Sequence, residues 1–344
     1  MESKQKLKAV LVGCGSISEI WLQAAKNITD LELVGFIDIV REAAQRRAEE
    51  YGAQNVIIST DLTSALRETT ADIVFNCTVP GAHAEVTLEA LRYGCHVLSE
   101  KPLAHSMKNA KELVAAAQDS GKIFAVMQNR RYDPNIRRLR NFLASGAIGC
   151  ITMINSDFYI GAHFSGFRNH MQHVLLLDMA IHTFDAARFI TGSDAVSVYC
   201  KEWNPPNSWY DRDASAVAIF EMTNNIVYTY RGSWCAEGLS TAWEADWHII
   251  GEKGSVRWNG SNDFQAQTVI ESDGFLSKYE DVAIPLENTM HKADGHVSVI
   301  REFIDCVRHS TTPETVCTDN IKSLAIVFGA IESAERGSRL EIKW

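Results

Sequence analysis

Three groups of residues in this sequence have the types and spacing that chemistry needs. The first is Glu100-Lys101-Pro102. A lysine just past a strand can reach a substrate oxygen, and the following proline holds it in extended geometry, which fixes its direction. The second is the pair Asp178 and His182, four residues apart inside an apolar stretch that includes Val174–Leu177, Ile181 and Phe184. On one helix the two share a face. A histidine beside a carboxylate serves as a general base near neutral pH. The third is Gly13-Cys14-Gly15-Ser16-Ile17-Ser18, which follows an apolar strand and opens a helix. Gly13 permits a tight turn, Gly15 lets the backbone approach a pyrophosphate, and Ser16 and Ile17 begin a helix whose free N–H groups favour an anion. Ser18 stands where a third glycine is usual. Asp38, at the end of the next strand, is placed to bind the adenosine ribose hydroxyls. Its charge opposes a 2′-phosphate, so NAD is the expected cofactor and NADP the lesser alternative.

The elements that must hold these groups follow from pattern. Apolar runs at Leu7–Val12, Glu32–Asp38, Val56–Ser59, Asp72–Cys77, His96–Leu98 and Ile123–Met127 read as strands. Helical periodicity lies between them, at Ser16–Asn27, Arg41–Tyr51, Asp61–Arg67, Ala82–Tyr93 and Met107–Ser120, with stops at Gly52, Gly94 and Gly121. Strictly alternating strands and helices imply a doubly wound parallel sheet, with ligands beyond the carboxyl ends of the strands. After about residue 128 the pattern changes. A helix over Pro134–Ser145 is followed by strands at Cys150–Ile160, Ala195–Glu202, Ala214–Met222, Ile226–Trp234, Ala245–Ile250 and Ser255–Trp258. Asn224–Asn225 and Glu252–Gly254 read as hairpin turns. Helices are expected at Leu177–Ile190, His296–Arg308 and Thr318–Glu335. The fold class is α/β: residues 1–128 form a nucleotide-binding domain and 129–344 an α+β domain with a large, mainly antiparallel open sheet, the terminal helices being free to pack back on the first.

Composition narrows the function classes. The 344 residues are 46% hydrophobic and 22% charged, an ordinary globular balance. Their net charge of −10 argues against nucleic acid or an anionic membrane as partner. No apolar run approaches the roughly 20 residues that span a bilayer, and no secretory signal pattern opens the chain, so a cytoplasmic location is expected. The eight cysteines form no CxxC pair and are read as small core residues. His163, His170 and His173 lack metal-site spacing, and no metal is expected. The arginines between Arg130 and Arg140 read as a solvated helix face. Trp234, at a strand end, is the tryptophan singled out for contact with a ring-shaped substrate.

Together these motifs resemble the glucose–fructose oxidoreductase / inositol dehydrogenase (Gfo/Idh/MocA) family. The resemblance covers nearly the whole chain. It includes the glycine turn, TVPGAH at Thr78–His83, GCHVLSEKPLA at Gly94–Ala104, NRRYDP at Asn129–Pro134, SGAIG at Ser145–Gly149, DMAIHTFD at Asp178–Asp185 and GEKGSV at Gly251–Val256. It implies a Rossmann domain followed by a domain whose open sheet forms a homo-oligomer contact, giving a dimer or tetramer. It makes Lys101 the catalytic lysine, His182 the general base and Asp178 the neighbouring acid. Glu100 is then set near the nicotinamide ribose, and Thr78, Pro80 and His83 along the cofactor. Phe167–Arg168 answers to a Trp–Arg pair at the substrate pocket, with the aromatic changed. Glycines usual before DxxxH are replaced by Val174–Leu177. The expected activity is hydride transfer between NAD and a secondary hydroxyl of a sugar, cyclitol or related polyol. Two rivals use the same residues or fold: an NAD-assisted glycosidase that oxidises transiently and eliminates the aglycone, and a non-enzymatic sugar or nucleotide sensor.

Overall fold

A computed structural model describes residues 6–286 and 295–344. The described chain divides into two compact units, one of residues 6–129 and 295–324 and the other of residues 130–286 and 325–344.

In the first unit strands and helices alternate: β1 (Leu7–Val12), α1 (Ile17–Ala25), β2 (Leu31–Ile37), α2 (Arg41–Tyr51), β3 (Ile57–Ser59), α3 (Leu62–Thr69), β4 (Ile73–Asn76), α4 (His83–Arg92), β5 (His96–Ser99), α5 (Met107–Ser120) and β6 (Phe124–Val126). The six strands are parallel in the order β3-β2-β1-β4-β5-β6. The order reverses between β1 and β4, and such a switch point opens a crevice at the strands' carboxyl ends. Ala9, Val10, Leu11, Ile73, Val74, Val97 and Leu98 are all wholly buried, because helices cover both faces of a parallel sheet. Helix starts follow side-chain chemistry. The Asp61 carboxylate accepts from the Ser64 N–H at 2.6 Å to open α3, and the Ser106 hydroxyl accepts from the Asn109 N–H at 3.2 Å to open α5.

The second unit starts with α6 (Pro134–Ala144), capped by Asp133, whose Oδ1 accepts from the N–H groups of Asn135 and Ile136. Then follow β7 (Ile151–Tyr159), α7 (Ile181–Thr191), β8 (Ala195–Trp203), β9 (Ser215–Met222), β10 (Val227–Ser233), β11 (Asp246–Gly251), β12 (Gly254–Trp258), β13 (Phe264–Glu271) and β14 (Lys278–Asp281). The chain closes with α8 (Gly295–His309), α9 (Cys317–Arg336) and β15 (Leu340–Glu341). The nine-stranded sheet runs β14-β13-β12-β11-β7-β10-β9-β8-β15 and is antiparallel except for the β7–β10 pair. Its strands alternate buried and exposed residues, as a sheet covered on one face does. The β9–β10 turn places Asn224 and Asn225 at φ 62° and 59°, a conformation asparagine tolerates.

Helix α8 belongs to the first unit, and α9 is shared, residues 317–324 with the first and 325–336 with the second. The β13, β14 and β15 strands are additions to what the sequence pattern predicts. Seven cysteines are buried and Cys150 is exposed. No helix of the described residues is long and apolar enough to cross a membrane.

Candidate active site

The cofactor-side residues gather at the carboxyl end of the parallel sheet. Gly13 follows β1 with φ +89°, and a Cβ there would meet the backbone of Cys77 and Thr78 at 2.6 Å, so only glycine fits. Around Gly15 a Cβ would meet nothing within 4 Å, which leaves room for a ligand to approach the backbone. Ser16 and Ile17, both exposed, stand at the open first turn of α1, where amide N–H groups lack helical acceptors. Ser18 is wholly buried and its hydroxyl donates to the Gly15 carbonyl at 2.6 Å, so a serine satisfies its polar group while keeping α1 close. Asp38 follows β2. Its Oδ2 accepts from the Cys14 N–H at 2.8 Å and its Oδ1 from the Val40 N–H at 2.9 Å, which ties the glycine turn to the next strand end. These features fit a dinucleotide.

The loops after β4 and β5 are braced together. His83 Nδ1 lies 2.8 Å from the Pro102 carbonyl oxygen and Nε2 lies 2.9 Å from that of Thr78. Burial lowers the pKa of this ring, against the pull of both carbonyls. The resemblance sets His83 along the cofactor, but its side chain is wholly buried. It braces the loop that carries Thr78 and Pro80 and does not present a surface to a ligand. Thr78 and Pro80 themselves remain partly accessible.

Glu100 is 7% exposed. Its Oε1 accepts from the Trp21 indole N–H at 2.7 Å, and His296 Nε2 stands 3.8 Å away. Burial disfavours its charged form, but His296, Trp21 and the Lys101 charge outweigh burial and lower its pKa. The Lys101 N–H donates to Glu100 Oε2 at 3.0 Å, so a buried carboxylate fixes the backbone from which the lysine projects. Trp21 and His296 are missed by sequence reasoning, because they come from 79 residues upstream and from α8.

The second unit builds its own cluster. The reading of Asp178 and His182 as i,i+4 neighbours assumes one continuous α-helix. Leu175–Ala180 is instead a π-helical segment that hands over to α7 at Ile181. Asp178 lies in the π turn and His182, buried, in the first turn of α7. Such π segments recur at functional sites because they re-aim one side chain relative to the next turn. The Asp178 carboxylate accepts from Arg168 Nε at 2.7 Å. The Arg168 guanidinium also lies over the rings of Phe164 and Phe167, at 4.9 and 5.0 Å from their centroids.

Trp234 is 2% exposed and packs against Phe158, Phe164 and Trp243. It therefore shapes the aromatic wall behind Arg168 and has little open face for stacking on a ring, the contact expected of it from the sequence. Phe164 and Tyr210 carry no motif in the sequence. Burial, and then the Asp178 charge, hold the Tyr210 phenol above its ordinary pKa, and its hydroxyl donates to the Ala162 carbonyl at 2.6 Å. His163 stacks on Trp209 at 3.7 Å, His170 pairs with Asp211 and His173 with Glu202, so the three histidines do not converge.

A glycine turn at a β1–β4 switch point, an acid ending β2 and a buried-carboxylate-anchored lysine after β5 define a dinucleotide-dependent oxidoreductase. Residues 7–128 match the oxidoreductase family with an NAD-binding Rossmann fold, and residues 136–257 match the GFO/IDH/MocA C-terminal domain. The chain belongs to the Gfo/Idh/MocA family, and its first unit is an NAD-binding Rossmann domain. It is 31% identical to the D-glucoside 3-dehydrogenase of Escherichia coli, over 98% of this chain and 97% of that enzyme. It is 25% identical to the D-apiose dehydrogenase of Paraburkholderia graminis, over 98% of this chain and 90% of that one. Its fold resembles an oxidoreductase from Agrobacterium radiobacter solved with NAD+, L-tartaric acid and magnesium, with TM-score 0.84, 21% identity and 98% of each chain covered.

Proposed function

We propose that the protein is an NAD-dependent dehydrogenase acting on a secondary hydroxyl of a sugar, cyclitol or related polyol. The observation that carries this reading is Lys101, set directly after β5 and anchored through its backbone by buried, ionised Glu100. Bound NAD supplies the hydride acceptor. The glycine turn and the first turn of α1 hold its pyrophosphate, and Asp38 holds its adenosine ribose. His182 takes the proton of the substrate hydroxyl, Lys101 stabilises the negative charge that develops on that oxygen, and Asp178 with Arg168 orients the acid–base pair. The similarity to enzymes named D-glucoside 3-dehydrogenase and D-apiose dehydrogenase supports a carbohydrate substrate. We assign the exposed face of the nine-stranded sheet to contact with a second copy.

The test is a panel of inositols, free aldoses, sugar acids and aryl glycosides with NAD, reading NADH absorbance and aglycone release in parallel. NADH formed with a free polyol or glycoside, the aglycone staying attached, supports the dehydrogenase. Aglycone release without net NADH moves the NAD-assisted glycosidase into its place. Silence in both channels from a protein that binds NAD points to a substrate outside the panel or to a sensor.

A further inference from the structure

We propose that His173, Glu202 and Asp213 form a binding site for a divalent cation of the zinc or manganese class, separate from the Arg168–Asp178 cluster.

The three side chains come from different parts of the second unit. His173 precedes the π segment, Glu202 lies near the end of β8, and Asp213 stands just before β9. One ligand-type atom from each lies within 4.8 Å of the others. His173 Nδ1 is 2.7 Å from Glu202 Oε2. The Glu202 side chain is only 3% exposed, and its second oxygen, Oε1, is shut away from solvent with no hydrogen-bond partner. A buried carboxylate oxygen without a partner carries a desolvation cost that a cation would remove. A fourth donor, again a carboxylate, is at hand, since Glu335 Oε1 lies 3.6 Å from His173 Nε2.

Charge makes the same case. Among the described residues, the ionisable groups acting on Glu202 are His173, Asp213 and Glu335, with no lysine or arginine among them. Carboxylates thus outnumber the one imidazole in this cluster. A surface ion pair would be open to water and counterions, whereas Glu202 is enclosed. One imidazole nitrogen with carboxylate oxygens is a donor set for zinc or manganese, with metal–ligand distances near 2.0–2.2 Å that side-chain rotation reaches from this spacing. The His173 carbonyl accepts from the Leu177 N–H at 2.9 Å, so an ion held here would pin the start of the π segment to the ends of β8 and β9.

The experiment uses the full chain, stripped with chelator and desalted, titrated calorimetrically with zinc chloride and with manganese chloride, and then assayed for retained metal. About one equivalent of one of these ions should bind saturably. His173→Gln and Asp213→Asn, whose side chains are not fully buried, should each weaken binding at least tenfold while NAD binding, read on the same samples, stays intact and reports a folded protein. Absence of saturable binding of both ions, or affinity unchanged in either variant, would overturn the proposal.

Discussion

Lys101 is the residue on which the chemical reading can be tested most directly. Its alignment depends on a carboxylate whose charged form burial disfavours and His296, Trp21 and, last, the Lys101 charge favour. Replacing Lys101 by alanine leaves that anchor in place, since the Glu100 contact uses the Lys101 backbone N–H. With the substrate identified by the panel, Lys101→Ala should lower kcat by about 10²–10⁴, the range of a positioned acid–base group. The dissociation constant for NAD, from fluorescence titration, should change by less than about threefold. Turnover equal to the parent would remove Lys101 from the chemistry. The residues proposed to carry chemistry are the legible ones: EKP and DxxxH state their types and spacing in the sequence. Their partners were not, because Trp21, His296, Phe164 and Tyr210 are joined to them only by tertiary packing, and a lone tryptophan or tyrosine has no local signature.

Elements were legible in proportion to their periodicity. The predicted helices Arg41–Tyr51 and Met107–Ser120 are the helices α2 and α5 found, because each ends where a glycine breaks the helix. Strands β13 and β14 were not, since Gln265, Gln267 and Thr268 interrupt one and all four residues of the other are exposed, leaving no buried face to read. The π segment was invisible because it changes hydrogen-bond spacing and not composition. Helix α7 is held by a buried pair: Arg131 Nε and Nη2 donate to Asp185 at 2.7 and 2.6 Å, with both side chains under 10% exposed. Asp185→Asn keeps the shape and removes the charge, leaving Arg131 and nearby Arg188 less compensated. The expected loss is about 3–5 kcal/mol of unfolding free energy, the cost of breaking one side of a buried pair, read by urea denaturation. A loss below about 1 kcal/mol would mean that water reaches the pair.

The edge of β5 predicts a pH effect. His96 Nδ1 accepts from the Ile123 N–H at 3.0 Å, so the ring is neutral there. Burial, and then the Lys122 charge, lower its pKa from 6.5 to about 4. The unfolded chain takes up this proton near pH 6.5 and the folded chain only near 4. The neutral ring's contribution is therefore complete above pH 6.5 and is lost as pH falls from 6.5 to about 4. His96→Asn keeps an acceptor and removes the titration. The stability difference between parent and variant should move against the parent over that interval, in denaturation curves at pH 7, 5.5 and 4.5. A difference independent of pH would show that the ring titrates equally in both states.

At the scale of the molecule, the outward face of the nine-stranded sheet predicts self-association. Tyr199, Val217, Ile219 and Val227 are 37–48% exposed on neighbouring strands, with Tyr199 opposite Ile219 and Lys201 opposite Val217. On β10, Arg231 faces Val217 and pairs with Asp157 of β7 across the sheet. The face thus carries apolar rows and both signs of charge, and a patch that contains its own complements can meet itself across a two-fold axis. Nine strands at about 4.8 Å spacing and about 20 Å length offer on the order of 850 Å², close to the roughly 800 Å² that each partner gives to a standard interface. Ile219→Glu puts a charge among the apolar rows of this surface, where desolvating it without a partner would cost several kcal/mol per copy. Because Ile219 is half exposed in the single chain, the fold should tolerate the change. Light scattering after size exclusion should report a dimer or larger for the parent and a monomer near 38 kDa for the variant, with NAD binding retained. An unchanged mass for the variant would move the interface off this face.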